Sequence, residues 1–171
     1  MIYFVAWALF TITLLGFTLA RSHPYRFSRF LAFQSILSLI FLNAPAWFVD
    51  PLSPLQVISW ICLAGSLFLA GYGFFQIKTQ GNPAGDFEDT TSLITIGLYR
   101  YIRHPLYTSL ILFSLGAYFK TPSLLGMGLV IATLTGVFLT VRIEERFNLE
   151  RFGDAYQVYM DQTKRFIPFI F

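Results

Sequence analysis

Five stretches of this sequence contain no Asp, Glu, Lys, Arg or His: residues 2–20, 30–49, 52–77, 105–119 and 121–141. A membrane helix needs about 20 consecutive apolar residues, within a range of about 17–25. Four stretches meet that length, and the fourth is shorter. These stretches restrict the chain to an all-α fold, a polytopic helical bundle whose main solvent is lipid. The bounds predict five transmembrane helices. The last two are expected to form a helical hairpin turned at Lys120-Thr121-Pro122, with Pro122 in the first turn of the returning helix.

Composition agrees. Hydrophobic residues make up 56% of the 171 residues and charged residues only 12%, against about 25% in ordinary soluble proteins. A soluble globule of this size cannot hide so much apolar surface. A disordered chain and a nucleic-acid-binding domain are excluded on the same ground. The one cysteine, Cys62, excludes a disulfide framework and a cysteine-rich metal site, and reads as a small buried apolar residue. No metal-ligand set is read from the sequence. The first stretch has no basic segment before it and exceeds a signal-peptide core, so it reads as a retained helix.

The basic residues set the orientation. With five spans and the N-terminus outside, the inner segments are 21–29, 78–104 and 142–171. They hold Arg21, Arg26, Arg29, Lys78, Arg100, Arg103, Arg142, Arg146, Arg151, Lys164 and Arg165, which is all of the 12 Lys and Arg residues except Lys120. Positive charge gathers on the cytoplasmic side of membrane proteins. The spans themselves lack the ionisable residues that mark ion pumps and proton-coupled transporters. Chemistry is therefore expected at the cytoplasmic face. Within the spans, Asn43 and Pro45 are expected to kink the second helix. Gly65, Gly71 and Gly73 are expected to let the third pack closely.

The chain reads as one membrane domain, 1–171. Its first part, 1–77, holds three helices, and the second, 78–171, holds a loop, the hairpin and a cytoplasmic helical extension. The loop 78–104 is polar and Gly/Pro-rich to Thr91, with Asp86, Glu88 and Asp89 as a solvated acidic turn. It then becomes aromatic and basic. The fifth helix is expected to run past the membrane surface, with Gly153 breaking it and Asp154 capping a new helix. Tyr156, Tyr159 and the Phe-rich tail suit a helix lying in the interface. A rise of 1.5 Å per residue puts Glu144 and Glu145 about 10–14 Å beyond the hairpin's base, at the height of residues 97–104. Pro105 fits the first helical position with His104 as cap, and a helix start of this kind attracts anions.

The run GLYRYIRHPLY at 97–107 resembles the G-x-Y-R-x-x-R-H-P-x-Y signature of integral-membrane methyltransferases, the isoprenylcysteine carboxyl methyltransferase and phospholipid methyltransferase families. The likeness continues through Glu144-Glu145, Phe152-Gly153, Tyr156, Tyr159 and Arg165-Phe166-Ile167-Pro168. It covers roughly 91–168 as one colinear block. The first three helices carry no motif. The resemblance implies S-adenosyl-L-methionine as cofactor, bound by Thr91, Ser92, Leu93, Ile94, Tyr99, His104, Pro105, Leu106, Tyr107 and Glu144. It implies a lipophilic substrate, isoprenylcysteine-carboxylate-like or phospholipid-like, entering from the bilayer. Glu145 is the candidate base for an amine acceptor. Arg142 is the candidate for meeting a substrate carboxylate, because the position one turn before Glu144, where family members place an arginine, is Thr140 here. Thr91 stands where the family has a histidine-type residue. The alternatives are an NADPH-dependent reductase of the sterol-reductase type and a non-catalytic membrane scaffold. Expected partners are the lipophilic substrate and membrane lipids, with no nucleic acid. The long third helix offers a face for homo-oligomer formation.

Overall fold

The structure, a computed structural model, describes residues 2–20, 23–82 and 90–168. Arg21 and the acidic turn of Asp86, Glu88 and Asp89 lie outside the described residues. The described residues form six α-helices in order: α1 Ile2–Ala20, α2 Arg26–Leu42, α3 Pro54–Gln80, α4 Pro105–Tyr118, α5 Leu124–Phe152 and α6 Asp154–Gln162. Short 3-10 turns occupy Ala44–Ala46 and Gly97–Arg100. The described residues form no strand, only an isolated parallel bridge between Ile102 and Lys164.

Three helices, α1, α3 and α5, are long and apolar enough to cross a membrane. At 1.5 Å per residue, α4 is about 21 Å long, well short of a hydrocarbon core of about 30 Å. α1 exposes Phe4, Phe10 and Phe17 and buries only Thr18. That distribution suits a helix bathed in lipid.

Several boundaries differ from the charge pattern. α2 begins at Arg26, four residues before the uncharged stretch, and stops at Leu42 instead of bending at Asn43 and Pro45. Pro45 has no N–H to continue the ladder. Asn43, 2% exposed, turns its side chain away to donate to the Ala117 carbonyl at 2.8 Å and to accept from the Thr121 hydroxyl. Ser123, not Pro122, starts α5, its hydroxyl accepting from the Gly126 amide at 3.0 Å. Cys62 is only partly buried.

α4 packs most closely on α3, and α5 on α2. Both contacts depend on a missing side chain. A Cβ on Gly116 would stand 2.8 Å from Leu63, and one on Gly136 would stand 2.6 Å from the Ser28 carbonyl. Between lipid-embedded helices, small residues and hydroxyl bonds provide the attraction that hydrophobic burial supplies in water. The hydroxyl bonds are Ser59 to the Gly116 carbonyl (2.7 Å) and Ser28 with Thr140 (2.8 Å). Gly65 and Gly73 lie against Leu112 and against Leu106 and Pro105, as expected, whereas Gly71 has no such neighbour. At the end where α4 turns into α5, Lys120 is buried, its Nζ 2.9 Å from Gln56 Oε1 and 3.4 Å from the Trp60 ring centre. The opposite end of the bundle holds the site.

Candidate active site

The motif 97–107 is shaped from below by α3. Gln76, 1% exposed, donates from Nε2 to the Ile96 carbonyl at 3.0 Å, and its Oε1 accepts from the Leu98 amide at 3.0 Å. One side chain thus takes the place of a strand partner for the turn. Gly97 has φ +62, and a Cβ there would be 1.8 Å from Gln76 Nε2. Only glycine meets both demands. The turn drops Tyr99 into a small core with Ile77 and Ile94. Tyr99 is buried, and its phenol is pushed up by burial first and by the charge of Glu144 second. It therefore stays protonated.

His104 caps α4 without a side-chain cap bond, and Pro105 takes the first helical position, as read from the sequence. His104 is 7% exposed, and its Nε2 has no hydrogen-bond partner. The imidazole lies between two carboxylates, with Nδ1 4.0 Å from Glu144 Oε2 and Nε2 3.5 Å from Glu145 Oε1.

The two glutamates are neighbours in sequence and point in different directions, since one residue along a helix is about 100° of rotation. Glu144 faces α2 and α4. Its Oε1 accepts from Arg29 Nη2 at 2.8 Å and from the Tyr107 hydroxyl, and the same Arg29 nitrogen is 2.9 Å from that hydroxyl. The Arg29 guanidinium also lies 4.5 Å above the Tyr25 ring. Glu145 faces the C-terminal segment and is 3% exposed. It accepts from Arg103 Nε (2.9 Å) and from Arg165 Nε (2.9 Å) and Nη2 (2.7 Å). Burial alone would raise its pKa. The side chains of His104, Arg165 and Arg103 outweigh burial and hold it down at about 2.

A C-terminal strap locks the motif. The Arg103 and His104 amides donate to the Lys164 and Arg165 carbonyls at 2.7 and 3.2 Å, and the Lys164 amide donates to Tyr101 at 3.2 Å. Arg103 Nη1 adds bonds to the carbonyls of Met160 (3.0 Å) and Thr163. Thr108 reaches the Phe166 carbonyl at 3.2 Å. Gly153, at φ +55, breaks α5 as expected and redirects the chain into α6. Tyr156 and Tyr159, expected in the membrane interface, are instead buried, and the Tyr159 hydroxyl donates to the Tyr99 carbonyl at 2.7 Å. Burial pushes the Tyr156 phenol up to about 12.

A cavity of about 690 Å³ joins these elements to α1 and α2. Of the expected cofactor residues, Ser92, Leu93, Ile94, Tyr99, His104, Leu106, Tyr107 and Glu144 line it together. Thr91 and Pro105 do not. Thr91 is exposed, with its hydroxyl on the Asn82 carbonyl at 2.8 Å, and Pro105 is buried against Gly73. Neither residue expected to act in catalysis lines the cavity. Glu145 lies behind its wall, held by two arginines. Arg142 is exposed, its guanidinium 5.8 Å from the Phe138 ring on the outer side of α5. Thr140 is fully buried in the α2–α5 contact, bonded to Ser28 and to the Gly136 carbonyl. Arg29 and Tyr25, absent from the sequence reading of the site, line the cavity. The signal that pointed to them was the basic segment 21–29.

The profile of the phospholipid methyltransferase family matches residues 55–155. Over 167 residues the chain is 28% identical to methanethiol S-methyltransferase 1 of Bradyrhizobium diazoefficiens, covering 86% of this chain and 56% of that protein. It is 35% identical over 83 residues to the protein-S-isoprenylcysteine O-methyltransferase of Schizosaccharomyces pombe, 46% of this chain and 34% of that one. It is 35% identical over 78 residues to the methanethiol S-methyltransferase of Crocosphaera subtropica, 44% of this chain and 29% of that one. The chain thus spans little more than half the length of these relatives at most. The family match takes in α3, α4, α5, the Gln76-braced turn, His104 and both glutamates, and on this match the chain belongs to the phospholipid methyltransferase family.

Proposed function

We propose that the chain is an S-adenosylmethionine-dependent methyltransferase acting on a lipophilic thiol drawn from the bilayer. One observation carries this reading. A single cavity joins a polar end, formed by Tyr99, His104 and Glu144, to an apolar end formed by Leu14, Phe17, Phe30 and Phe33. Its volume of about 690 Å³ falls in the range of small-molecule sites, about 300–1,000 Å³.

The residues suit the cofactor's charges. His104 lines the cavity at the start of α4, where a carboxylate is favoured. Glu144 supplies the negative charge for an amino group or sulfonium. Tyr99 and Tyr107 offer ring faces to a cation, and Ser92, Leu93 and Ile94 form the neighbouring wall. When bound, the cofactor would supply a methyl group on a positively charged sulfur for in-line transfer to the acceptor.

Two observations favour a thiol over a carboxylate acceptor. The position where family members place the carboxylate-binding arginine is Thr140, committed to the α2–α5 contact, and Arg142 faces outward. The relative matched along most of this chain is named for methanethiol. The thiolate is the reacting form and a strong nucleophile, and as it forms the thiol's proton can pass to water. Glu145 is then not needed as a base. In this reading the site faces the cytoplasm with the strap. All five uncharged stretches lie in the membrane, α2 and α4 buried among the longer helices. The inward crowding of Lys and Arg supports that orientation.

The test is methyl transfer from labelled S-adenosylmethionine by the purified protein in detergent. Acceptors are a long-chain alkyl thiol, a prenylated cysteine carboxylate and phosphatidylethanolamine. A thioether product is expected. Transfer only to the carboxylate or the amine would overturn the acceptor assignment, and no transfer to any would overturn the activity.

A further inference from the structure

Arg29 stands outside the family-matched segment 55–155 and 115 residues from Glu144, yet it closes the polar end of the cavity. Its Nη2 and the Tyr107 hydroxyl converge on the same oxygen, Glu144 Oε1. The side chains of Arg29 and Glu144 keep 17% and 19% of their exposure, so the pair is half-sheltered and still open to the cavity. By contrast, Arg103, which also lines the cavity, and Glu145 behind it are 8% and 4% exposed, and Arg103 is tied to the backbone at Met160 and Thr163. The two glutamates are thus held in different ways, one locked into the scaffold and the other paired at a cavity surface. Arg29 also sits one residue before Phe30, at the border between the polar and apolar ends, with its guanidinium supported by the Tyr25 ring.

Resting on the methyltransferase reading above, we propose that Arg29 is an exchangeable counter-cation. It neutralises Glu144 until the ligand's ammonium or sulfonium takes its place, and once released it faces the acceptor end as the cation that favours a thiolate. A carboxylate already paired with an arginine must give up that pair to accept a second cation. Ligand affinity is therefore lowered by the fraction of molecules in which Arg29 holds Glu144. A cation beside a thiol lowers its pKa and raises the thiolate fraction. Occupation of the polar end thereby prepares the apolar end, and cofactor binds before acceptor.

The test is calorimetric titration of S-adenosylhomocysteine, which keeps the ammonium, into the full-length protein in detergent. Wild type, Arg29→Gln, Arg29→Lys, Glu144→Gln and the Arg29→Gln/Glu144→Gln double variant are compared. Arg29→Gln is expected to bind about fivefold more tightly or better, because no cation has to leave. Arg29→Lys, which keeps charge but not the fork that reaches Tyr107 and Glu144 together, is expected to gain less. It serves as the reporter should Arg29→Gln lose its monodisperse elution. Glu144→Gln should weaken binding, and the double variant should gain nothing over Glu144→Gln alone. Weaker binding by both Arg29 variants, with wild-type binding intact, would overturn this inference and leave the methyltransferase reading standing. No binding by wild type would overturn both. With acceptor present, Arg29→Gln should raise the acceptor KM while cofactor affinity does not fall. A uniform loss of both would mark Arg29 as scaffold only and overturn the proposal.

Discussion

Replacing Glu145 by glutamine separates a scaffold carboxylate from a catalytic base. The side chain is 4% exposed and bridges Arg103, itself 8% exposed, to Arg165, which is 28% exposed. Removing one partner from a buried pair costs about 3–5 kcal/mol, because the remaining charge stays uncompensated. Arg165 can recover water, but Arg103 cannot, so the lower end, about 3 kcal/mol, applies. The depression of the Glu145 pKa from 4.5 to about 2 is of the same order, at about 1.4 kcal/mol per unit. In a chain of this size each kcal/mol moves Tm by about 2–4 °C, so Glu145→Gln should melt roughly 6–12 °C below wild type in a detergent thermal scan. The folded pKa lies below the unfolded one. The stability from Glu145 is therefore full above about pH 4.5 and drains away as pH falls toward about 2. Wild type should lose Tm over that window, and Glu145→Gln should lack this component. A Tm within roughly 2 °C of wild type, together with abolished turnover and a lost basic limb in the pH profile, would refute the scaffold role and restore Glu145 as the base.

Other parts of the structure carry their own tests. Gly97→Ala drives a Cβ into Gln76 at a positive φ and should cost about 1–3 kcal/mol, with weakened S-adenosylhomocysteine binding because the turn carrying Tyr99 shifts. Gly136→Ala puts a Cβ 2.6 Å from the Ser28 carbonyl and should part α2 from α5, seen as a Tm loss and a weakened Arg29–Glu144 pair. Lys120→Met leaves Gln56 Oε1 without its donor and removes the cation over Trp60. It should cost about 1–3 kcal/mol and change tryptophan fluorescence, with no effect on ligand affinity at the far end of the bundle.

The helices were legible because charge is excluded from them, and charge marks a membrane boundary better than a helix boundary. α2 shows the difference. Arg26 and Arg29 belong to the helix although both lie before the uncharged stretch, and Asn43 ends the helix although the stretch runs on to Val49. The start of α5 was misplaced because Pro122 suggested a first turn, while the Ser123 hydroxyl makes the actual cap. Half of the site, residues 92–107 with Glu144, was readable as a local motif. The other half was not, because Arg29 and Glu144 meet only when α2 packs on α5. Adjacent residues on one helix also defeat a linear reading. Arg142, Glu144 and Glu145 occupy a short run yet face the outside, the cavity and the strap in turn. Tyr156 and Tyr159 looked like interface aromatics, but α6 buries both and bonds the Tyr159 hydroxyl to the Tyr99 carbonyl.

The central claim is that His104 and Glu144 line one cavity built to hold S-adenosylmethionine. Equilibrium binding of labelled S-adenosylmethionine to the purified protein addresses it most directly. One saturable site per chain is expected, weakened at least about tenfold by His104→Ala and by Glu144→Gln, each removing one charge-assisted contact. Saturable binding that both substitutions leave unchanged, or no binding by well-folded wild type, would contradict it.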